Sequence, residues 1–195
     1  GIGIGAILVG RISRNRVEYG LIPLGAIGVF LALLLLGLVA PPLSGTFLLL
    51  GALGIASAFI FVSLNAILQW KSPPDRRGAV ISMSNTCVFT GILFGSLSGG
   101  WLANAGLSTT SIFLATAGMT LAGMLYAIWL LPDTLLRLIL VLLTHTLYRL
   151  RIIGETHLPP SGGALLVPNH VSFVDGLLLI ASLDRPVRFV VDAQY

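Results

Sequence analysis

Charge is what this sequence has least of. Only 9% of its 195 residues are charged, against about 25% in a water-soluble domain, and that excludes an ordinary soluble globule. One cysteine, Cys87, excludes an internal disulfide framework and a cysteine-based zinc site. The three histidines, His145, His157 and His170, are too irregularly spaced for a histidine metal site, so no metal is expected. Gly1, Gly3 and Gly5 lack the spacing and the preceding strand of a dinucleotide-binding turn. The chain opens GIGIGAILVG, with no Met and no charged n-region of a signal peptide, already inside an apolar stretch. It ends VRFVVDAQY, which reads as a strand running onward. The expectation is a piece of a longer polypeptide.

What the chain does have is hydrophobic residues, 56% of the total. Four apolar segments are long enough to cross a hydrocarbon core of about 30 Å, which takes roughly 20 helical residues. They run from about Leu21 to Ala40, Phe47 to Trp70, Met83 to Leu107 and Thr109 to Leu131, and Gly1 to Gly10 reads as the tail of a fifth. Pro41–Pro42 and Ser72–Pro73–Pro74 punctuate them.

The net charge of +4 is read as basic loops facing an anionic membrane, not as nucleic-acid binding. Arg11, Arg14 and Arg16 follow the partial helix, and Lys71, Arg76 and Arg77 follow the second full span. The alternate loops, around Pro41–Thr46 and Asn104–Ser108, carry no charge. Arg137, Arg149, Arg151, Arg185 and Arg188 all come after the last span. Every basic residue therefore falls on one side, which the positive-inside rule makes cytoplasmic. Trp70, Trp101 and Trp129 lie near span ends, where interfacial anchors sit.

Gly91, Gly95 and Gly99 in the third span recur every four residues, and such a stripe is expected to pack helix against helix. A sliding contact between two halves of a transporter is the alternative. In the second span, Asn65 is expected to hydrogen-bond between helices, with substrate contact as the competing role. No charged residue lies deep in the four spans, so no proton relay is read there.

The character changes after Pro132. Asp133–Leu150 is apolar with Arg137, His145 and Arg149 at intervals, the pattern of a helix lying in the membrane interface with snorkelling arginines. Beyond it, Ile152–Ile153, Ala164–Val167 and Val187–Val191 are short strand-like runs, and Phe173–Leu183 reads as a helix between strands. That alternation is the opening of an α/β domain.

Within it stands Asn169-His170-Val171-Ser172-Phe173-Val174-Asp175. A carboxylate brought to a histidine by a turn or helix start fixes the imidazole tautomer and stabilises the imidazolium of general-base catalysis. Ser172 is placed to cap the helix. The spacing alone is a weak signal, because a His and an Asp five apart occur by chance in many chains.

The stretch Arg151–Gly176 resembles the opening of the glycerolipid acyltransferases of the lysophosphatidic-acid type. The match runs through Gly154-Glu155, Pro159, Gly163, Leu165–Val167 and Asn169, His170, Ser172, Asp175. The resemblance implies that His170 deprotonates an acceptor hydroxyl, that Asp175 orients and supports His170, and that Asn169 and Ser172 contact substrate. It also implies an acyl thioester (acyl carrier protein or coenzyme A) as co-substrate and no other cofactor. The family's later arginine-containing blocks would lie beyond Tyr195, so these 195 residues alone are not expected to transfer acyl groups.

The preceding helices are similar to the last third of a major facilitator superfamily transporter. The resemblance rests on the basic loop before Leu21, on Lys71-Ser-Pro-Pro-Asp-Arg-Arg-Gly78 and on the glycine-rich helix after it. It implies helices eight to twelve of that fold, with Ser63 and Asn65 on a cavity-lining helix. The loop at Arg11, Arg14 and Arg16 lacks the acidic residue of the family's usual form, so no gating role is assigned to it.

The expected fold class is an all-α polytopic membrane domain followed by the beginning of an α/β acyltransferase domain. The expected limits are residues 1–131 for the transporter helices, 132–150 for an interfacial linker and 151–195 for the acyltransferase start. The pairing resembles bacterial fusions of a lysophospholipid transporter with an acyltransferase. It implies a multi-pass inner-membrane protein with a cytoplasmic C-terminal domain, whose partners are membrane lipids, a lysophospholipid and acyl carrier protein. The alternatives are a small-molecule exporter with a non-catalytic tail, and an acyltransferase that its helices merely tether.

Overall fold

The apolar segments fold as helices in a computed structural model that describes residues 1–13, 18–147, 153–154, 158–159, 162–169, 172, 174–183 and 187–190. In chain order they are α1 (Ile2–Ser13), α2 (Leu21–Val39), α3 (Leu43–Lys71), α4 (Arg77–Asn104), α5 (Thr109–Leu130), α6 (Pro132–Leu147) and α7 (Val174–Ser182). Helices α2 to α5 are each long and apolar enough to cross a membrane. The chain divides into two units, Gly1–Leu135 and Leu136–Tyr195.

The helix ends follow local chemistry. Helix α2 stops at Ala40, which takes a left-handed conformation (φ 44°, ψ 57°), and Pro41–Pro42 cannot continue the ladder. Helix α4 ends at Asn104, short of the expected Leu107. Gly106 turns left-handed at φ 86°, its N–H donates to the Ala103 carbonyl at 3.1 Å and the Leu107 N–H to the Leu102 carbonyl at 3.2 Å. These are the two bonds of a Schellman ending, and glycine reaches the required φ without a Cβ clash. Ser108 then caps α5, its Oγ accepting from the Ser111 N–H at 3.2 Å.

Helices α3 and α4 also start earlier than their apolar runs, at Leu43 and Arg77 instead of Phe47 and Met83. A helix does not stop where the hydrocarbon stops. The 29 residues of α3 span about 43 Å, more than a core of about 30 Å. Its last residue, Lys71, sets its ammonium 5.4 Å from the centroid of the Tyr19 ring, just before α2. This cation–π contact brings the end of α3 and the approach to α2 to the same side, as alternating topology requires.

Helix α2 is the centre of the first unit, packed against α3 and α5, while α1 packs on α3. Leu21, Ile22, Ala32, Leu33 and Leu36 are buried along it. Pro23, also buried, sits in its first turn, where the missing N–H would have had no intrahelical partner. Glycines set the closest approaches. A Cβ on Gly25 would stand 2.7 Å from the Ala56 carbonyl oxygen, and one on Gly28 would stand 2.8 Å from the Ala56 Cβ. On α1, a Cβ on Gly5 would lie 2.6 Å from the Ala58 Cβ. Backbones this close gain dispersion contacts, which in lipid replace the hydrophobic drive between helices.

The stripe expected to do this work does not do it within the described residues. A Cβ on Gly91, Gly95 or Gly99 meets nothing within 4 Å, and α4 contributes no buried residue. The four-residue spacing gives α4 a smooth face, but neighbours decide whether a smooth face is a packing face. The close crossings fall on α1, α2, α3 and α5 instead, a Cβ on Gly37 of α2 standing 2.7 Å from the Leu114 side chain of α5. Gly25→Leu should therefore push α2 from α3 and cost at least about 1–3 kcal/mol of overpacking. A lower thermal midpoint in detergent is the expected reading, and an unchanged midpoint would contradict the close crossing.

In the second unit, α7 is the one helix contained wholly within it among the described residues. The expected strands at Ala164–Val167 and Val187–Val190 are not formed among the described residues, and Ile152 and Val191 lie outside them. A strand exists only as a paired ladder, and Leu165 and Val167, each 85% exposed, have no ladder beside them among the described residues. The α/β character expected after residue 150 is thus not visible in the described part.

Candidate functional site

The Asn169–Asp175 segment leads into α7, and its geometry is that of a helix start. The Asp175 carboxylate accepts the Ser172 backbone N–H at 2.8 Å through Oδ2. Ser172 in turn accepts twice: its Oγ from the Val174 N–H at 3.3 Å, and its carbonyl oxygen from the Asp175 N–H at 3.0 Å. Side chain and backbone thus satisfy each other reciprocally, as in a capping box with Asp in the place usually held by Glu or Gln. The carboxylate lies in the first turn of α7, where the positive end of the helix dipole favours a negative charge.

The consequence is a carboxylate whose position the backbone holds. An acid on a free loop would sample many rotamers, but Asp175 is tied to the start of its own helix. Asn169 and Ser172 are exposed, and Asp175 is half-buried. The structure therefore brings Ser172 and Asp175 together. His170 lies outside the described residues, as do Val171 and Phe173.

Packing holds α7 on its other side. Gly176 faces the Phe189 ring, and a Cβ there would touch Cζ at 3.5 Å. Ala181 is buried near the helix end. The reach of Asp175 back to Ser172 was missed in the sequence, although the signal was present: Ser-x-x-Asp ahead of the apolar run Leu177–Ile180 is the pattern of a capping box.

Asn65, the candidate in the membrane part, donates from Nδ2 to the Phe61 carbonyl at 2.8 Å. This is a bond back along its own helix, so the amide donor is satisfied without a neighbouring helix. Ser57 does the same to Leu53 at 2.8 Å. Ser63 is buried at 3% exposure, and its Oγ has no hydrogen-bond partner among the described residues. Among the described residues, no three His, Cys, Asp or Glu side chains gather in a way that would hold a metal.

A bundle of membrane-crossing helices followed by a capped acidic helix start defines a multi-pass membrane protein with a second segment after its spans. The family model of the Major Facilitator Superfamily matches residues 1–139, and the chain belongs to that family. The model described as Acyltransferase matches residues 149–195, directly after it. The protein is thus a fusion of a major facilitator transporter domain with an acyltransferase domain. No solved structure matches the chain.

Proposed function

We propose that this protein moves a lysophospholipid across the bacterial inner membrane and reacylates it on the cytoplasmic face. The observation that carries the reading is the succession of the two family matches in one chain, residues 1–139 and 149–195. A transporter that delivers a lipid lacking one acyl chain, joined to an enzyme that adds acyl chains, makes a two-step remodelling system.

In the second step His170 takes the proton of the lysolipid hydroxyl as its oxygen attacks the thioester carbonyl of acyl carrier protein or acyl coenzyme A. A C–O bond forms, the C–S bond breaks, and the proton passes on to the departing thiolate. General-base assistance of this kind contributes on the order of 10²–10⁴-fold. Asp175 orients the imidazole and supports its transient positive charge, and its anchorage to the Ser172 N–H suits that task. Asn169 and Ser172, exposed ahead of α7, contact the substrate. In the transporter part, Asn65 is the proposed substrate contact, through its carboxamide oxygen.

Spheroplasts producing the intact parent polypeptide and given lysophosphatidylethanolamine with a labelled acyl chain provide the test. The label should enter and then appear in the diacyl lipid. Entry without conversion would favour a transporter with a non-catalytic tail. Conversion in detergent extract without entry into spheroplasts would favour an acyltransferase that its helices merely tether. Either result overturns the two-step reading.

A further inference from the structure

The ends of three helices enclose a cleft of about 200 Å³ at the end of the bundle away from the basic loops. Leu36 comes from the last turn of α2, Ala40 and Pro41 from the turn after it, and Thr46 from the start of α3. Thr109, Thr110 and Phe113 come from the start of α5. Leu36, Pro41 and Phe113 make an apolar wall, three threonines stand beside it, and no lining residue is charged. The adjoining loops, 41–46 and 104–108, carry no charge either. A phosphate or an ammonium group finds no ionic partner here, whereas a neutral polar group next to hydrocarbon is matched.

Hydrogen bonding narrows the ligand further. Left-handed Ala40 turns the chain, and the Pro41 carbonyl accepts from the Thr46 hydroxyl at 3.2 Å while the Pro42 carbonyl shares it at 3.3 Å. With its proton engaged, Thr46 Oγ1 has only lone pairs to offer, so its match is a donor. Thr110 Oγ1 is engaged with Ser108 Oγ at 2.8 Å, and Ser108 with Ser111, but Thr109 takes no part in that chain. Exposed Thr109 keeps a proton to give. One acceptor and one donor beside an apolar wall match a free hydroxyl near an ester carbonyl at the head of an acyl chain. A monoacyl glycerolipid carries that combination. The glycerol region of a diacyl lipid has carbonyls and no hydroxyl.

We propose that this cleft docks the glycerol region of a lysophospholipid, whose free hydroxyl donates to Thr46 and whose ester carbonyl accepts from Thr109. The identity of the lipid rests on the proposed function, and the site is additional to Asn65 and to the Asn169–Asp175 motif. Its volume suits part of a lipid, since a pocket enclosing a whole drug-sized ligand holds about 300–1,000 Å³. The rest of the molecule lies in the bilayer. Leu38, Val39, Leu43 and Phe47, beside the lining residues of α2 and α3, are between 61% and 73% exposed, as an apolar patch that meets a membrane is. The cleft is thus placed to collect substrate from the leaflet opposite the basic loops, before transport.

Lysophosphatidylethanolamine with a diazirine near the start of its acyl chain tests this. The intact parent polypeptide is held in nanodiscs of diacyl phosphatidylethanolamine and phosphatidylglycerol. Illumination should label peptides covering residues 36–46 and 109–113 in a saturable way. Thr46→Val should raise the half-saturating concentration there by about 3–10-fold, the worth of one neutral hydrogen bond, while Thr46→Ser keeps the original value. An analogue without the free hydroxyl should label the unmodified protein and Thr46→Val alike. No saturable labelling of those peptides, or an unchanged half-saturation in Thr46→Val, would overturn the proposal. So would an equal loss for the analogue in Thr46→Val, which marks a change in the loop instead of a lost contact to the ligand. None of these results bears on the proposed function, which stands or fails on uptake and conversion in spheroplasts.

Discussion

Replacing His170 with alanine in the intact parent polypeptide is expected to lower kcat/KM for acyl transfer by about 10²–10⁴-fold, the usual contribution of a general base. The acceptor hydroxyl is a weak nucleophile until a base takes its proton, and no other group in the Asn169–Asp175 segment is suited to that task. Ser172 is a neutral hydroxyl, and the Asp175 carboxylate is engaged with the Ser172 N–H. Uptake of labelled lysolipid should continue in the same variant, because residues 1–139 alone match the transporter family. Acyl transfer at the unmodified rate would remove His170 from the mechanism. Loss of uptake together with acyl transfer would instead show that the two steps are not separable.

Asp175→Asn is expected to lower kcat on the order of 10²-fold with little change in KM. The amide keeps an oxygen able to accept the Ser172 N–H, so the start of α7 persists while the negative charge proposed to support the imidazole is lost. Asp175→Ala removes both the charge and the cap. It should show the same kinetic loss and, in addition, about 1 kcal/mol less stability at the helix start. Thermal unfolding of the two variants, read beside their kinetics, separates the roles. If Asn restored full activity, Asp175 would be a capping residue alone.

Much of the membrane part was legible in the sequence. The four spans follow from apolar runs between proline-rich breaks, and each expected span overlaps one of the helices α2–α5. The helix ends were less legible because hydrophobicity marks where lipid lies, not where the backbone ladder stops. The Gly106 turn ends α4 early, while α3 starts directly after Pro42 and α4 at Arg77, beyond their apolar runs. The two family resemblances, drawn from Lys71–Gly78 and from Gly154–Asp175, agree with the family matches over residues 1–139 and 149–195.

The acyltransferase segment divides differently. Its helix was foreseen from residue 173 to 183 and spans Val174–Ser182, since a cap and an apolar run are local signals. Strands are not local, for each needs a partner ladder, and a strand-like run such as Ala164–Val167 says nothing of where its partner is.

By itself, then, the sequence determined the four apolar spans, the alternate loops in which the basic residues gather and the residue types of the Asn169–Asp175 motif. Those properties are written in hydrophobicity, charge and residue type at single positions. Tertiary structure alone decided that Gly25, Gly28 and Gly5 mark close crossings while, among the described residues, Gly91, Gly95 and Gly99 do not. It also decided that Leu136 and Leu143 of α6 are exposed while Leu138 and Leu140 are buried. Both are properties of neighbours, and a glycine or a leucine has the same composition and period whether or not another helix lies against it.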